Sequence, residues 1–478
     1  AVHPDTYPTL WSVAAGGISV QTFDVLILGG GPGGTSAARL LAKGGKKVAL
    51  AEDTHWGGTC LNCGCIPTKL LLGAVAPGAL LAAQQRLRVA KGEIAVDYTA
   101  LQTRVARFTK GSSQALAKEL TGLGVTLLEG RGVCAGTAEG LHRVRLEGKD
   151  GVTELAAAQV VLACGTSSAA FPGLTPDNDC VLDSTALLRI AAVPESLLIV
   201  GAGAIGLEMG DFFRAMGSKV TIVEAAPHIA PLEDADVAKE MLRALTKAGV
   251  TCLEGARAKE LRTVDGQARL TLEDGREITA AKALVAVGRT PNTRALAAES
   301  LGCTLNRRGY LAVDAHLEAA PGVYAVGDVN GLTLLAHAAE HQAGYVARRI
   351  LGREFGAYAS GPVPSCVYGS TEIMRVGPTA KELLREGRAV SVSQAPLTMN
   401  PIAQASGHTA GFVKVVWEGE RPVGMAAVGG GVSHLVSVAS LLLAGDYTPE
   451  KLHTVMIAHP TLDEILPLAM NAPRAVPQ

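Results

Sequence analysis

The sequence has no excess of charge of either sign and no long uninterrupted apolar segment. It carries 43 Lys and Arg against 44 Asp and Glu, so it has neither the basic surface of a nucleic-acid-binding protein nor an acidic tail. Its longest apolar run, residues 70–83, is interrupted by Gly and Pro and is shorter than the roughly 20 residues of a membrane span. We therefore expect neither nucleic acid nor a membrane as a partner.

Cysteine is also scarce. The chain has nine cysteines, an odd number, and apart from Cys60, Cys63 and Cys65 they are scattered singly. This pattern excludes a secreted disulfide scaffold and favours a cytoplasmic location. The residues before Gln21 contain no cationic segment leading into an apolar core, so we expect no intact signal peptide.

The sequence does contain enough apolar material for several folded domains. Hydrophobic residues make up 48% of its 478 residues and charged residues 18%, which excludes disorder caused by excess charge. At about 150 residues per domain, the length predicts about three domains.

The most informative feature is a repeat of one glycine pattern. Residues 24–52 read DVLILGGGPGGTSAARLLAKGGKKVALAE, and residues 196–224 read SLLIVGAGAIGLEMGDFFRAMGSKVTIVE. Each copy predicts an apolar strand, a G-x-G-x-x-G turn, a helix and a second strand that ends in glutamate. In this context the pattern is typical of a dinucleotide site.

The residues of the pattern have separate roles. The first glycine allows the tight turn, the second lets a pyrophosphate approach the backbone, and the third lets the helix pack on the sheet. The helix N-terminus attracts the phosphates, and the final glutamate can accept hydrogen bonds from ribose hydroxyls. These residues are Gly29, Gly31, Gly34 and Glu52 in the first copy and Gly201, Gly203, Gly206 and Glu224 in the second.

Glu224 also favours NAD over NADP. Its carboxylate can accept a hydrogen bond from the free 2′-hydroxyl of NAD but repels the 2′-phosphate of NADP. Residues 225–228 include no Arg that would compensate that charge.

The three clustered cysteines allow several interpretations. A zinc site requires four ligands, and the nearest further candidate, His55, does not have a standard ligand spacing. The flanking glycines disfavour a role of the three cysteines in packing alone. In a redox pair, Cys60 and Cys63 are neighbours on a regular helix. Cys60 and Cys65 lie about 140° apart around it and would need a distorted turn, which Gly64 and Pro67 permit. Spacing alone leaves both pairs open.

The stretch from Gly57 to Lys69, GGTCLNCGCIPTK, resembles the GGTCxNxGCxPSK redox motif of the flavoprotein pyridine nucleotide-disulfide oxidoreductases. The resemblance implies that Cys60 and Cys65 form the catalytic disulfide and that Cys63 is a packing thiol. It implies an α/β fold with two Rossmann-like domains, one for FAD and one for NAD, and a C-terminal α+β dimerisation domain.

The resemblance extends over about residues 23–470 and implies a division of the chain. The expected parts are an N-terminal extension (1–22), a first part of the FAD domain (23–165), the NAD domain (166–288), a second, central part of the FAD domain (289–357) and the dimerisation domain (358–478).

Further segments carry the same resemblance: 163–166, 206–208, 322–328 and 335–340. In the family, a Lys–Glu pair lies beside the flavin N5, here Lys69 and Glu208, and an Asp bonds the FAD ribitol, here Asp328. The cofactor contacts implied in addition to the two glycine patterns are Gly58, Thr59, Lys69, Gly132, Thr166, Glu208, Gly288, Arg289, Asp328 and Ala336. No metal site is expected.

Near the end of the chain, the sequence AHPTLDE (458–464) provides a candidate base. Pro disfavours a helical residue before it and is favoured at the first helical position, so we expect His459 just outside a helix that begins at Pro460, with Glu464 slightly over one turn inside. The resemblance implies a His459–Glu464 dyad that acts in the active site of the partner subunit of a homodimer.

The activity that the resemblance implies is oxidation of a protein-bound dihydrolipoyl group with NAD+ as acceptor. The residues before the first glycine pattern are too few for a lipoyl domain, so we expect another chain, of a 2-oxo acid dehydrogenase or glycine cleavage complex, to carry the lipoyl group.

Three alternative functions fit the sequence less well. A glutathione reductase would carry basic residues near Glu224, a mercuric reductase would end in a cysteine pair whereas the last cysteine here is Cys366, and a non-catalytic flavin-binding subunit would need neither the cysteine pair nor the dyad.

Two segments depart from the family's pattern. Its aromatic-T-x-P-E sequence is replaced by Tyr368-Gly-Ser-Thr-Glu372, and His434 stands where the family has Glu in a G-P-x-A-x-E segment. Because of these departures, the sequence does not predict the shape of the subunit interface or of the substrate channel.

Overall fold

The computed structural model describes residues 20–477, so residues 1–19 of the expected N-terminal extension lie outside the described part. The first elements are β1 (Gln21–Leu28), α1 (Pro32–Lys43), β2 (Val48–Glu52), α2 (Gly58–Cys63), α3 (Cys65–Arg86), α4 (Tyr98–Gly122), β3 (Thr126–Glu129), β4 (Arg131–Ala138), β5 (Leu141–Gly148), β6 (Gly151–Leu162) and β7 (Thr166–Ser168).

The middle of the chain contains β8 (Val181–Leu182), α5 (Ser184–Leu187), β9 (Ser196–Val200), α6 (Ala204–Ala215), β10 (Lys219–Val223), α7 (Ala235–Lys247), β11 (Thr251–Leu253), β12 (Ala258–Val264), β13 (Gln267–Leu272), β14 (Glu277–Ala280), β15 (Lys282–Val285), β16 (Arg289–Pro291), β17 (Glu318–Ala320), β18 (Val323–Ala325) and α8 (Ala336–Ile350).

The C-terminal part contains β19 (Pro364–Val367), β20 (Glu372–Val376), α9 (Ala380–Arg385), β21 (Ser391–Pro396), α10 (Pro401–Ser406), β22 (Gly411–Glu418), β23 (Arg421–Gly429), α11 (Val436–Ala444), α12 (Pro449–Leu452) and α13 (Ile465–Asn471).

The first sheet is mainly parallel. Its strand order is β17-β18-β6-β1-β2-β3, with β4 and β5 added beside β6 as antiparallel strands. β1 lies between β6 and β2 and is buried from Val25 to Leu28, as expected for a central strand covered by helices on both faces. β17, β18 and α8 come from a later part of the chain, and α8 packs on α1.

The second sheet repeats this design. Its order is β11-β10-β9-β15-β8, all parallel, and the antiparallel sheet β12-β13-β14 follows β11 along the chain. Both glycine patterns therefore form the expected strand–turn–helix–strand units, β1–α1–β2 and β9–α6–β10, each at the centre of a sheet. The predicted α/β fold with two Rossmann-like units is confirmed.

The C-terminal sheet is antiparallel, in the order β19-β20-β23-β22-β21. Its core contains the fully buried Trp417, whose indole N–H donates a hydrogen bond to the Ser393 hydroxyl at 2.8 Å. α11 and α13 pack on this sheet, which gives the α+β architecture expected for a dimerisation domain.

Residues 58–86, which span α2 and α3, are long and apolar enough to cross a membrane by length and composition. The sequence alone predicts no membrane span here, because its longest apolar run is short and is interrupted by Gly and Pro. α3 packs against α4, α6 and α10, and its Lys69 pairs with Glu208 of α6. These contacts identify it as a helix of the folded protein.

Candidate active site

The first glycine pattern forms a loop that fits a phosphate group. A Cβ on Gly29 would lie 2.3 Å from the carbonyl oxygen of Ala163, and one on Gly34 would lie 1.8 Å from that of Gly29. In contrast, a Cβ on Gly31 would meet no described atom within 4 Å. Two glycines thus allow the chain to pack on itself, and Gly31 keeps the approach to the N-terminus of α1 open to a ligand.

Glu52 stabilises this loop. One carboxylate oxygen accepts a hydrogen bond from the backbone N–H of Gly30 at 2.6 Å, and the other accepts one from the N–H of Thr54 at 2.9 Å. The carboxylate therefore lies at the end of β2 beside the phosphate loop, where a ribose is expected.

The second pattern has the same construction. A Cβ on Gly201 or Gly206 would lie 2.4 or 2.0 Å from a backbone carbonyl oxygen, whereas one on Gly203 would meet no described atom within 4 Å. The carboxylate of Glu224 accepts the N–H groups of Ala202 and Ala226, both at 2.7 Å. The residues present fit two dinucleotides, one on each sheet.

Cys60 and Cys65 meet because the helix is interrupted between them. α2 ends at Cys63 and α3 begins at Cys65, while Gly64 lies between them with φ −143° and ψ −112°. A Cβ on Gly64 would lie 2.9 Å from the carbonyl oxygen of Thr59. The glycine therefore permits the close approach that turns Cys65 back towards Cys60, and the two thiols lie close enough to change each other's acidity.

The two thiols differ in acidity. The hydrogen bond from Cys60 and the charge of Lys69 lower the pKa of Cys65 to about 7, against the effect of burial. The pKa of Cys60 is raised, first by the same hydrogen bond and then by burial. When the pair is reduced, Cys65 is therefore the thiolate.

Lys69 and Glu208 form the ion pair that the sequence analysis expected. The Lys69 ammonium lies 2.7 and 2.9 Å from the two carboxylate oxygens of Glu208. Glu208 is 5% exposed, and burial raises its pKa, while Lys69 and a hydrogen bond from the N–H of Tyr368 act in the opposite direction. The pair joins α3 to α6, and both of its charges act on Cys65.

Thr166, Arg289 and Asp328 lie in one network. The Thr166 hydroxyl donates to the Asp328 carboxylate at 2.8 Å, and Arg289 donates to the hydroxyl and to the carbonyl oxygen of Thr166, both at 2.6 Å. Burial raises the pKa of Asp328, against the effects of Thr166 and Arg289.

The remaining predicted cofactor residues lie in several different elements. A Cβ on Gly58 would lie 2.7 Å from the Cα of Gly31, so Gly58 and Thr59 begin α2 against the first phosphate loop. Gly288 precedes Arg289, and Ala336 is the first residue of α8. Gly132 lies in β4 and packs closely on the Leu28 side chain, which is a packing position within the sheet.

His459 and Glu464 form the expected dyad, but the local structure differs from the prediction. Nδ1 of His459 lies 2.8 Å from the Glu464 carboxylate, and the imidazole side chain is 75% exposed. No helix begins at Pro460. Thr461 is the N-cap of a 3₁₀ turn over Leu462–Glu464, and α13 follows it.

Thr461 and Glu464 form a capping box, which fixes the start of the helical segment after Pro460. The carboxylate of Glu464 accepts the N–H of Thr461 at 2.9 Å, and this bond and that to His459 lower the pKa of Glu464. Glu464 thus caps the turn and holds the imidazole at the same time.

Two contributions to the site were not predicted from the sequence. The backbone of residues 368–370 lies on Glu208 and Asp211 of α6. The side-chain oxygen of Gln342, which is 1% exposed, accepts hydrogen bonds from Gly327 and Asn330 and so holds the 3₁₀ turn that carries Asp328. The departure at 368–372 was a signal for the first contribution, and nothing in the local pattern indicated the second.

Comparison with known proteins agrees with this geometry. Residues 23–343 match the family profile "Pyridine nucleotide-disulphide oxidoreductase", and residues 363–470 match the profile of its dimerisation domain. Dihydrolipoyl dehydrogenase 3 of Pseudomonas putida is 34% identical over 95% of this chain and 98% of the relative. The dihydrolipoyl dehydrogenase of Cupriavidus necator is 35% identical over 93% and 97%.

Solved structures show the same likeness. LpdA from Mycobacterium tuberculosis superposes with a TM-score of 0.86 at 27% identity, covering 94% of this chain and 99% of that one. The HOCl-induced flavoprotein disulfide reductase RclA from Escherichia coli superposes with a TM-score of 0.81 at 27% identity, with the same coverage.

Proposed function

Because the chain belongs to the pyridine nucleotide-disulphide oxidoreductase family, an enzyme family that uses FAD and NAD, we propose that it oxidises the dihydrolipoyl group of a partner protein and reduces NAD+. The observation that carries this proposal is the meeting of Cys60 and Cys65 across the break at Gly64, in front of the Lys69–Glu208 pair. Relatives that match over nearly the whole chain are named for this activity.

The reaction begins at the thiols. In the oxidised enzyme Cys60 and Cys65 form a disulfide, and His459 takes the proton of one substrate thiol at Nε2 while Glu464 holds Nδ1. The substrate thiolate attacks the sulfur of Cys60, and the S–S bond breaks to release Cys65 as a thiolate. The lower pKa of Cys65 makes it the better leaving group.

The second substrate thiol then attacks the mixed disulfide. A new S–S bond closes the lipoyl ring, the bond to Cys60 breaks, and Cys60 takes the remaining proton. The substrate has lost two electrons and two protons, and the cysteine pair has gained the two electrons. FAD held at the first glycine loop would supply the two-electron redox chemistry that links the dithiol to NAD+.

The residues present support FAD and NAD at the two glycine loops. The first loop, with Glu52 and Asp328, would hold FAD, and the second loop, with Glu224, would hold NAD. Glu224 is only 9% exposed and its carboxylate is fixed by two backbone N–H groups, so it cannot turn away from a 2′-phosphate. This disfavours an NADPH-dependent glutathione reductase.

The proposal is tested with the purified protein. It should be yellow, release one FAD per chain on acid treatment, and form NADH from NAD+ and dihydrolipoamide. Glutathione disulfide with NADPH is the comparison substrate pair. A folded protein without flavin, or one that prefers NADPH and glutathione disulfide, would refute the proposal.

A further inference from the structure

Residues 368–371, which join β19 to β20, are held to α6 by two carboxylates one turn apart. Glu208 accepts a hydrogen bond from the N–H of Tyr368 at 3.1 Å. Asp211 accepts one from the N–H of Ser370 at 2.6 Å and another from the Ser370 hydroxyl at 2.8 Å. This is the segment in which the chain departs from the pattern of its family.

Asp211 is built into this contact. Its residue is 5% exposed, and a third donor, the guanidinium of Arg214, lies 2.9 Å from its carboxylate. Gly369 has φ +152°, and a Cβ there would lie 2.9 Å from the Asp211 carboxylate. Glycine at 369 therefore lets the backbone come close enough for Ser370 to donate twice.

Tyr368, the first residue of the same segment, contacts the Lys69–Glu208 pair. The N–H of Tyr368 donates to Glu208, and the ring of Tyr368 has its centroid 4.4 Å from the Lys69 ammonium, within the range of a cation–π interaction. A contact that holds the backbone of residues 368–370 in place therefore also holds the Tyr368 N–H and ring against Glu208 and Lys69.

We propose that Asp211 is a positioning residue, which holds the Lys69–Glu208 pair in place through Ser370 and Tyr368. In the family's aromatic-T-x-P-E sequence a proline restricts the backbone at this point. Here residues 368–372 contain no proline, and the buried hydrogen bonds to Asp211 supply the restraint. Hydrogen bonds to a charged carboxylate are stronger than those between two neutral groups.

The consequence reaches Cys65. The titratable groups that face it are Cys60 from α2, Lys69 from its own helix and Glu208 from α6, and Glu340 of α8 faces Cys60. Lys69 stabilises the Cys65 thiolate and Glu208 opposes it. If residues 368–370 are released, Glu208 loses the Tyr368 donor and draws Lys69 more strongly, so the thiolate is less stabilised and the pKa of Cys65 rises.

The test follows the thiolate in the holoenzyme. Wild-type, Asp211→Asn, Ser370→Ala and Ser370→Thr proteins are reduced by two electrons with dithionite, and the long-wavelength thiolate–flavin absorbance is measured against pH. For Asp211→Asn we expect the midpoint to rise by about one unit, a tenfold change in the thiol–thiolate equilibrium. Ser370→Ala should shift it less, in the same direction. Ser370→Thr keeps both donors and should match the wild type.

Asp234→Asn is the matched control. Asp234 is also a buried carboxylate of the NAD-binding part that accepts two backbone N–H groups, of Ala380 and Lys381, from the C-terminal part. It should leave the midpoint unchanged even if it lowers the unfolding temperature. An unchanged midpoint in both Asp211→Asn and Ser370→Ala, or an equal shift in Asp234→Asn, would overturn the inference.

The inference rests on the proposed function only in taking Cys65 as the thiolate next to the flavin. Because the spectrum is recorded without a thiol substrate, the two can fail separately. A wild-type enzyme that shows the band and the predicted shifts but does not oxidise dihydrolipoamide would refute the substrate and support the role of Asp211.

Discussion

At the scale of single residues, the chemistry depends on which two of three neighbouring thiols meet. Cys60 meets Cys65, and Cys63 ends α2. We expect Cys60→Ser and Cys65→Ser each to abolish dihydrolipoamide oxidation, because neither variant can form the disulfide, and Cys63→Ser to retain most of it. NADH formation is the measurement, and FAD content is the control. An inactive Cys63→Ser protein with full FAD would indicate a Cys60–Cys63 pair instead.

The acidity of Cys65 gives a pH dependence. Its pKa is lowered to about 7, so in the two-electron-reduced enzyme the thiolate forms above that pH and is protonated below it. We expect the thiolate–flavin absorbance to be nearly complete at about pH 8, where an ordinary thiol with a pKa of about 8.5 is mostly protonated.

Besides the interaction with Cys60, the charge of Lys69 lowers the pKa of Cys65, and Lys69→Met tests this second contribution. It removes a positive charge that stabilises the thiolate, so the midpoint should rise above that of the wild type when the absorbance is titrated in both proteins. A wild-type midpoint at that of an ordinary thiol, or a midpoint that falls in Lys69→Met, would contradict the assignment.

At the scale of elements, the sequence predicts the secondary structure that is determined by residues close together in the chain. Both strand–turn–helix–strand units follow from glycine spacing and apolar runs, and the structure has both. The prediction that a helix begins at Pro460 was wrong, because the capping box of Thr461 and Glu464 makes the helical segment start later. The contact of Ser370 with Asp211 joins residues 159 positions apart, so no local pattern could indicate it.

The two glycine loops should fail independently. Gly34→Ala places a Cβ 1.8 Å, and Gly206→Ala one 2.0 Å, from a backbone carbonyl oxygen, so each must displace its helix from its phosphate loop. We expect Gly34→Ala to lose FAD, and Gly206→Ala to keep FAD but to lose reduction by NADH.

Gly73→Ala is the control for this pair. A Cβ there meets no described atom within 4 Å, so it should keep both functions and stabilise α3 by up to about 1 kcal/mol. Flavin release and stopped-flow reduction by NADH measure the two losses. Normal FAD content in Gly34→Ala would show that this loop does not hold the flavin.

At the scale of the whole molecule, the C-terminal part is tied to the NAD-binding part by buried charge. Lys414 of β22, which is 2% exposed, lies 2.7 Å from Asp234 and also pairs with Asp236, and Arg375 of β20 lies 3.2 Å from Glu233. These contacts join the C-terminal sheet to the NAD-binding part of the same chain. The His459–Glu464 dyad lies on that same C-terminal part, with an exposed imidazole, and so faces outward from its own chain.

An imidazole this exposed is accessible to a site on a second subunit, and we predict that His459 acts on the cysteines of that subunit. His459→Ala should still accept electrons from NADH, because its cysteines and both loops are intact, but its oxidation of dihydrolipoamide should fall by about 10²–10⁴-fold. Mixing inactive His459→Ala with inactive Cys60→Ser subunits should restore activity, since each heterodimer has one site with both residues. If subunit exchange is shown by mass and no activity returns, His459 works within its own chain or not at all.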